Sequence, residues 1–99
     1  MDIKRLQLFL LLAEQLHFTK ASELANVSAP TLSRNIKQLE DEVGAILFNR
    51  NKRSVSLTKQ GESFLRYART TVTEWQMFRS SLNEAGEALS GEVQLFSSV

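Results

Sequence analysis

Residues 18–44, FTKASELANVSAPTLSRNIKQLEDEVG, decide the fold. Thr19 can cap a short helix over the residues that follow it, and Ser28 can cap a second, longer helix. Pro30 fits the first turn of the second helix, because no backbone donor is needed there, and Gly44 can end it. Two helices separated by the break NVS, the first of them short, predict a helix-turn-helix.

The flanking segments predict a winged form of this motif. A first helix from about Asp2 to Gln15 is apolar on two sides, so it needs a second layer of structure to cover it. Residues 47–50 and 55–57 predict two short strands around a polar tip, which together make a β-hairpin. The apolar positions turned inward on the two helices of the motif are Ala21, Leu24, Ala25, Leu32, Ile36, Leu39 and Val43.

A long helix follows, capped by Thr58 and running from Lys59 to about Ala85. Its apolar residues repeat at intervals of seven, which is typical of a helix that pairs with a partner helix. The alternative, an amphipathic helix packed on its own domain, stays open at this point. The predicted dimerisation residues are Phe64, Ala68, Val72, Trp75, Phe78 and Leu82.

The sequence therefore predicts a mainly α protein: a winged helix-turn-helix of three helices and a hairpin wing, followed by a long dimerisation helix. We place the winged helix-turn-helix domain at 1–58, with the helix-turn-helix at about 18–37 and the wing at about 47–57. The linker helix occupies 59–88. Residues 92–99 alternate like a strand, so we predict that 89–99 form a hinge and the first strand of a following domain that is missing here.

Composition narrows the functional classes. The chain has no cysteine and one histidine, His17, so a thiolate metal site and most nucleophilic catalysis lack their residues, and we expect neither an enzyme nor a cofactor. His17 is expected to cap a helix or to pack in the core.

No membrane or targeting segment is evident, and a bacterial cytoplasmic location at the nucleoid is expected. Net charge is only +1, but residues 50–59 hold four basic side chains and no acid, which suits a polyanion.

The second helix of the motif carries the predicted DNA contacts. At about 100° per residue its outward face contains Pro30, Arg34 and Lys37, with Thr31 and Ser33 on the flanks. The acids at 40–42 would repel phosphates, so this helix should enter a groove by its N-terminal half, where the helix dipole also favours an anion.

Each side chain suits a particular kind of contact. Those predicted to hold phosphates are Thr19, Ser28 and Lys37; those nearest to base edges are Thr31, Ser33 and Arg34; those able to touch a thymine methyl are Ala29 and Pro30. Arg53, at the tip of the hairpin, can enter a narrow minor groove. Arg50 is a further candidate for a phosphate contact, but an ion pair with Glu40 competes with that role.

The sequence resembles the LysR-type transcriptional regulators in an ordered series of segments. The matching segments are ASELA at 21–25, VSAPTLSR at 27–34 and LTKQG at 57–61, with Leu39-Glu40, Gly44, Leu47-Phe48 and Arg50 between the last two. The likeness covers essentially the whole chain. It implies sequence-specific binding to double-stranded operator DNA, a homodimer through the linker helix, and regulation of a metabolic operon. The resemblance also implies a C-terminal effector-binding domain, which is missing here beyond the hinge and first strand at 89–99. Full-length members are commonly tetramers that respond to a small-molecule inducer, and RNA polymerase is a further expected partner.

One departure from the family pattern affects specificity. Many members carry glutamine, which can bond to adenine, at the position of Ala29. Its absence shifts the recognition of bases to Thr31, Ser33 and Arg34. The competing hypothesis is a helical protein–protein interaction module that dimerises without binding DNA, in which the basic hairpin is merely solvated.

Overall fold

The computed structural model describes residues 1–51 and 54–89, with side chains up to residue 84. Its elements follow the chain as α1 (Ile3–Gln15), α2 (Phe18–Ala25), α3 (Ala29–Val43), β1 (Phe48–Arg50), β2 (Val55–Leu57) and α4 (Lys59–Leu89). Three helices pack together, a two-stranded hairpin follows, and a long helix leaves the domain. The predicted fold class, a mainly α winged helix-turn-helix with a long final helix, is confirmed.

Side chains cap the first two helices. The Asp2 carboxylate accepts from the backbone N–H of Arg5 at 2.8 Å and so begins α1, as predicted. The N-cap of α2 is His17, whose Nδ1 accepts from the N–H of Lys20 at 3.2 Å. The prediction that Thr19 caps this helix was therefore wrong, because α2 begins earlier and Thr19 already lies in its first turn.

The turn of the motif matches its prediction. Asn26 ends α2 in the left-handed conformation at φ 59°, which asparagine tolerates better than most residues. Ser28 then caps α3, Pro30 lies in its first turn, and Gly44 ends it at φ 81°. Both helix ends are thus set by residues whose conformational preferences fit them.

The core lies where the three helices meet the wing. The Phe9 ring contacts the Phe48 ring at 5.3 Å and meets the Phe64 ring edge-on at 5.0 Å, which joins α1 to β1 and α4. Leu32, Ile36 and Leu39 are buried as predicted. Leu24 is 59% exposed and Val43 37% exposed, so their placement inside was wrong: each lies at the edge of the bundle, beyond the packed layer.

The wing is an antiparallel hairpin in which Phe48 pairs with Leu57 and Arg50 with Val55. Its tip begins at Asn51, whose N–H donates to the Ser54 carbonyl at 3.1 Å and whose Oδ1 accepts from the Ser54 N–H. Arg53, predicted for the minor groove, lies outside the described residues.

The first half of α4 belongs to the chain's own core. Phe64, Ala68 and Val72 are buried with α1, where Leu8 and Leu12 on the second apolar side of that helix are covered as well. The predicted dimerisation residues in this half therefore pack against the chain's own domain, and dimerisation through the linker helix stays a prediction.

Trp75, Phe78 and Leu82 continue the repeat with 39%, 55% and 54% of their surface exposed. The helix also extends through Gly86 to Leu89, past the predicted end, because one glycine costs only about 1 kcal/mol in a helix interior. Of the predicted hinge and strand at 89–99, only Leu89 lies within the described residues.

Candidate nucleic-acid interface

The N-terminal half of α3 presents the predicted set of side chains. Pro30, Arg34 and Lys37 are exposed along one face, and Thr31 and Ser33 are half-buried beside them. Ala29 is half-buried at the start of the helix and Ser28 is exposed. No acidic residue occurs in this half, so the surface offers hydroxyl, guanidinium and ammonium donors to an anion.

Ser28 and Thr31 act as a pair at the entrance to the helix. The Ser28 hydroxyl donates to Thr31 Oγ1 at 2.8 Å and accepts from the Thr31 N–H at 3.2 Å. The two hydroxyls are therefore held in a fixed arrangement at the positive end of the helix dipole.

Glu40, the first acid at the other end of α3, turns inward. Its carboxylate is buried and accepts from the backbone N–H groups of Leu47 at 2.8 Å and Phe48 at 3.2 Å. Arg50 Nη2 lies 3.4 Å from the other carboxylate oxygen, which confirms the predicted pair. A buried carboxylate with three donors adds little negative charge to the exposed face of α3.

Glu42 is held on the side of α1. The Met1 ammonium donates to it at 2.9 Å and Arg5 Nη1 at 3.0 Å. The hydrogen bond from the Met1 ammonium, supported by Arg5, holds the pKa of the Glu42 carboxyl below its usual value.

Arg5 is a residue that the sequence analysis missed. Besides Glu42 it donates to Gln38 Oε1 at 2.8 Å and to Asn35 Oδ1 at 3.3 Å, so one side chain of α1 holds three positions of α3. The signal available in the sequence was indirect: three consecutive acids at the negative end of a helix dipole require cationic partners. Nothing in the local sequence pattern indicates which cationic residue pairs with these acids.

A groove of about 240 Å³ separates the start of α2 from the wing. Thr19 is exposed along it, and the Arg50 guanidinium lies 5.1 Å from the centre of the Phe18 ring, which is part of the groove lining. The groove is lined by Leu16, His17, Phe18, Thr19, Asn51, Ser54 and Val55.

Other classes of site find no support in the part of the chain that the structure describes. Among the side chains of residues 1–51 and 54–84, no three metal-binding groups come together. No helix among the described residues is long and apolar enough to cross a membrane. A helix-turn-helix with a donor-rich second helix, flanked by a wing, defines a DNA-binding domain of the winged-helix class.

The family is shown by comparison with known sequences. The model of bacterial regulatory helix-turn-helix proteins of the lysR family matches residues 3–62, which is more than half of the chain. The chain therefore belongs to the LysR family of DNA-binding transcriptional regulators.

Among curated proteins, the chain is similar to the HTH-type transcriptional activator IlvY of Haemophilus influenzae, with 43% identity over 99 residues. The match covers 100% of this chain and 34% of that protein, so the chain spans about a third of its relative's length. Residues 89–92 (LSGE) and 97–99 (SSV), with His17 and Phe18, had predicted a likeness to the regulator of isoleucine–valine biosynthesis, and the comparison confirms it.

Two solved structures show the same fold with DNA present. Vibrio fischeri DarR in complex with DNA aligns with a TM-score of 0.84 and 38% identity, covering 89% of this chain and 30% of that one. The BenM DNA-binding domain in complex with catB site 1 DNA aligns with a TM-score of 0.82 and 31% identity, covering 87% of this chain and 97% of that domain.

Proposed function

We propose that this chain binds double-stranded operator DNA sequence-specifically, as a homodimer, and regulates an operon of branched-chain amino acid synthesis. The observation that carries the proposal is the exposed, acid-free face of α3 between Ser28 and Lys37. Its width suits the major groove, which admits one α-helix and presents a distinct pattern at each base pair.

The contacts divide by chemistry. Ser28 and Lys37, at the two ends of the face, and Thr19, on the neighbouring helix α2, are proposed to hold phosphates, which fixes the position of the domain. Arg34, Thr31 and Ser33 are proposed to contact base edges, and Ala29 and Pro30 a thymine methyl. The wing follows at the side of α3, where its basic tip suits the minor groove.

Dimerisation is proposed through the exposed half of α4. Trp75, Phe78 and Leu82 share one side of the helix, and the Trp75 and Phe78 rings lie 6.3 Å apart. An apolar stripe left uncovered by the chain itself is a typical surface for a partner helix. A dimer brings two copies of α3 to one duplex, so it reads two half-sites.

The target operon rests on the likeness to IlvY, an activator by its name. We accordingly propose activation of transcription by contact with RNA polymerase, and a bacterial cytoplasmic location at the nucleoid. A tetramer and a small-molecule inducer are proposed for a longer protein that carries an effector-binding domain, since the relatives are about three times as long as this chain.

Selection of duplexes from a random-sequence pool, followed by genomic footprinting, tests the proposal. We expect one partly palindromic sequence to be enriched and to occur upstream of branched-chain amino acid genes. If the pool yields no enriched sequence while the chain is folded and dimeric, the competing function, a protein–protein interaction module, is the correct one. If the enriched sequence lies elsewhere in the genome, the DNA-binding function stands and the operon is wrong.

A further inference from the structure

Arg50, at the end of β1, contacts three side chains, two of them on α3 and one on α2. Its Nη2 lies 3.4 Å from Glu40 Oε1, its Nη1 lies 3.5 Å from Ser33 Oγ, and its Cζ lies 5.1 Å from the centre of the Phe18 ring. One planar guanidinium therefore bonds to a buried carboxylate and to a hydroxyl on the DNA-facing side at the same time. A lysine ammonium, a compact point charge, does not supply this forked geometry.

The environment of Glu40 keeps the Arg50 guanidinium paired with the Glu40 carboxylate. Glu40 is only 7% exposed, and its Oε2 already accepts from the N–H groups of Leu47 and Phe48. Its Oε1 faces Arg50, which is the cation paired with it among the described residues. Moving Arg50 to a phosphate would leave a buried carboxylate without that cation, and removing one partner of a buried pair is strongly unfavourable.

We propose that Arg50 is a positioning residue for sequence recognition: Glu40 and Phe18 hold its guanidinium, which orients the Ser33 hydroxyl toward a base edge. Arg50 does not act as a phosphate contact. This inference rests on the proposed function and revises the role predicted for Arg50 from the sequence. Its consequence is that Arg50 contributes to discrimination between sequences, whereas Lys37 contributes to affinity for every duplex.

The first test, Arg50→Lys, removes the planar guanidinium of residue 50 and keeps its positive charge. The 99-residue chain is titrated against a duplex enriched from the random pool and against a scrambled duplex of the same composition. We expect Arg50→Lys to weaken binding to the enriched duplex roughly tenfold, as for the removal of one good base contact, with no change on the scrambled duplex. Full retention of affinity for the enriched duplex would overturn the proposal.

The salt dependence gives a second, independent readout. A neutralised phosphate contributes about 0.9 to the slope of log K against log salt concentration. Arg50→Gln should leave that slope at the wild-type value, whereas the control Lys37→Gln should lower it by about 0.9 for each phosphate that is no longer neutralised. A decrease of that size in Arg50→Gln shows that Arg50 neutralises a phosphate, and the proposal is wrong.

Ser33→Ala tests the same proposal even if an Arg50 variant does not fold. Ser33 is half-buried on the surface of α3, and the substitution removes one hydroxyl. It should reproduce the loss of discrimination seen for Arg50→Lys, and the double variant should bind no worse than either single one. Unchanged discrimination in Ser33→Ala, or additive losses, contradicts the proposal. Failure of the wild-type chain to enrich any duplex would instead refute the proposed function.

Discussion

Arg34 and Lys37 lie one helical turn apart on the exposed face of α3 and carry the same charge, but their chemistry differs. The Arg34 guanidinium can donate two parallel hydrogen bonds to the O6 and N7 acceptors of guanine. The Lys37 ammonium is a compact charge that suits a phosphate oxygen. Position on the face therefore predicts that both contact DNA, and side-chain chemistry predicts what each one recognises.

Arg34→Ala should weaken binding to the enriched duplex by about 1–3 kcal/mol and relax the preference at one base position, because the variant cannot form the bidentate bond to the base. Competition binding against duplexes substituted at each position measures both effects. Lys37→Ala is the matched control and should weaken binding by the same factor on every sequence. If Arg34→Ala also gives a uniform decrease, Arg34 binds a phosphate.

Glu42 gives the domain a dependence on acid pH. Its carboxyl pKa is lowered from 4.5 in the folded chain, first by the hydrogen bond from the Met1 ammonium and then by Arg5. The lowered pKa means that the ionised carboxylate stabilises the fold fully above pH 4.5, and that this contribution is lost as pH falls through the folded value.

Urea unfolding of the wild-type chain and of Glu42→Gln measures this contribution. We expect the wild type to be the more stable at pH 7 and the difference to shrink as the pH falls below 4.5. Because the Glu42 side chain is 40% exposed, solvent screens the pair and the difference should be small and should decrease further in salt. A difference that stays constant from pH 7 to pH 3 would contradict the assignment.

At the scale of elements, α4 is fixed to the wing through Leu47. The Thr58 N–H donates to the Leu47 carbonyl at 2.9 Å, and the Thr58 hydroxyl donates to the Ile46 carbonyl at 2.6 Å. Gly61 packs so closely on this segment that a Cβ would overlap the Leu47 carbonyl oxygen. Since the Leu47 N–H donates to Glu40, one peptide segment joins α3 to the start of α4.

Gly61→Ala should therefore destabilise the domain, by about 1–3 kcal/mol, although alanine is the better helix former. The added methyl group meets backbone rather than a flexible side chain, so the start of α4 must shift. Chemical denaturation measures the change, with Gln60→Ala at an exposed neighbouring position as the control. Equal or greater stability in Gly61→Ala would show that α4 does not dock as closely as described.

Most element boundaries follow from local chemistry and could be predicted. Asp2, Ser28 and Gly44 set helix ends through their own hydrogen bonds or backbone preferences. The errors arose where tertiary packing decides. Both His17 and Thr19 can accept the capping bond, and periodicity gives the side that Leu24 faces but not how far the bundle extends to cover it.

At the scale of the whole chain, α4 carries one apolar stripe of which one half is buried and the other exposed. Phe64, Ala68 and Val72 are covered by the chain's own domain, while Trp75 and Leu82 are exposed beyond it. The repeat in the sequence is the same in both halves, because a helix shows the same periodicity to its own core and to a partner. The apolar stripe could therefore be predicted from the sequence. Which part of it is buried depends on where α1 packs against α4, and this only the structure shows.

Trp75→Asp should convert a dimeric chain to a monomer, because it places a charge in the middle of the exposed stripe. Light scattering across a concentration series measures the change in mass. Met77→Asp is the matched control: Met77 is 67% exposed and lies on the opposite side of the helix, so the dimer should persist. A Trp75→Asp chain that remains dimeric would place the interface elsewhere.

The central claim is that this chain binds DNA through the basic, acid-free side of its helix-turn-helix. Titration of the 99-residue chain with duplex DNA, by fluorescence anisotropy at a series of salt concentrations, tests it most directly. We predict measurable affinity at low salt and a linear fall of log K with log salt concentration, with a slope of about −0.9 for each phosphate contacted. A folded chain with no affinity for any duplex at low salt would contradict the account.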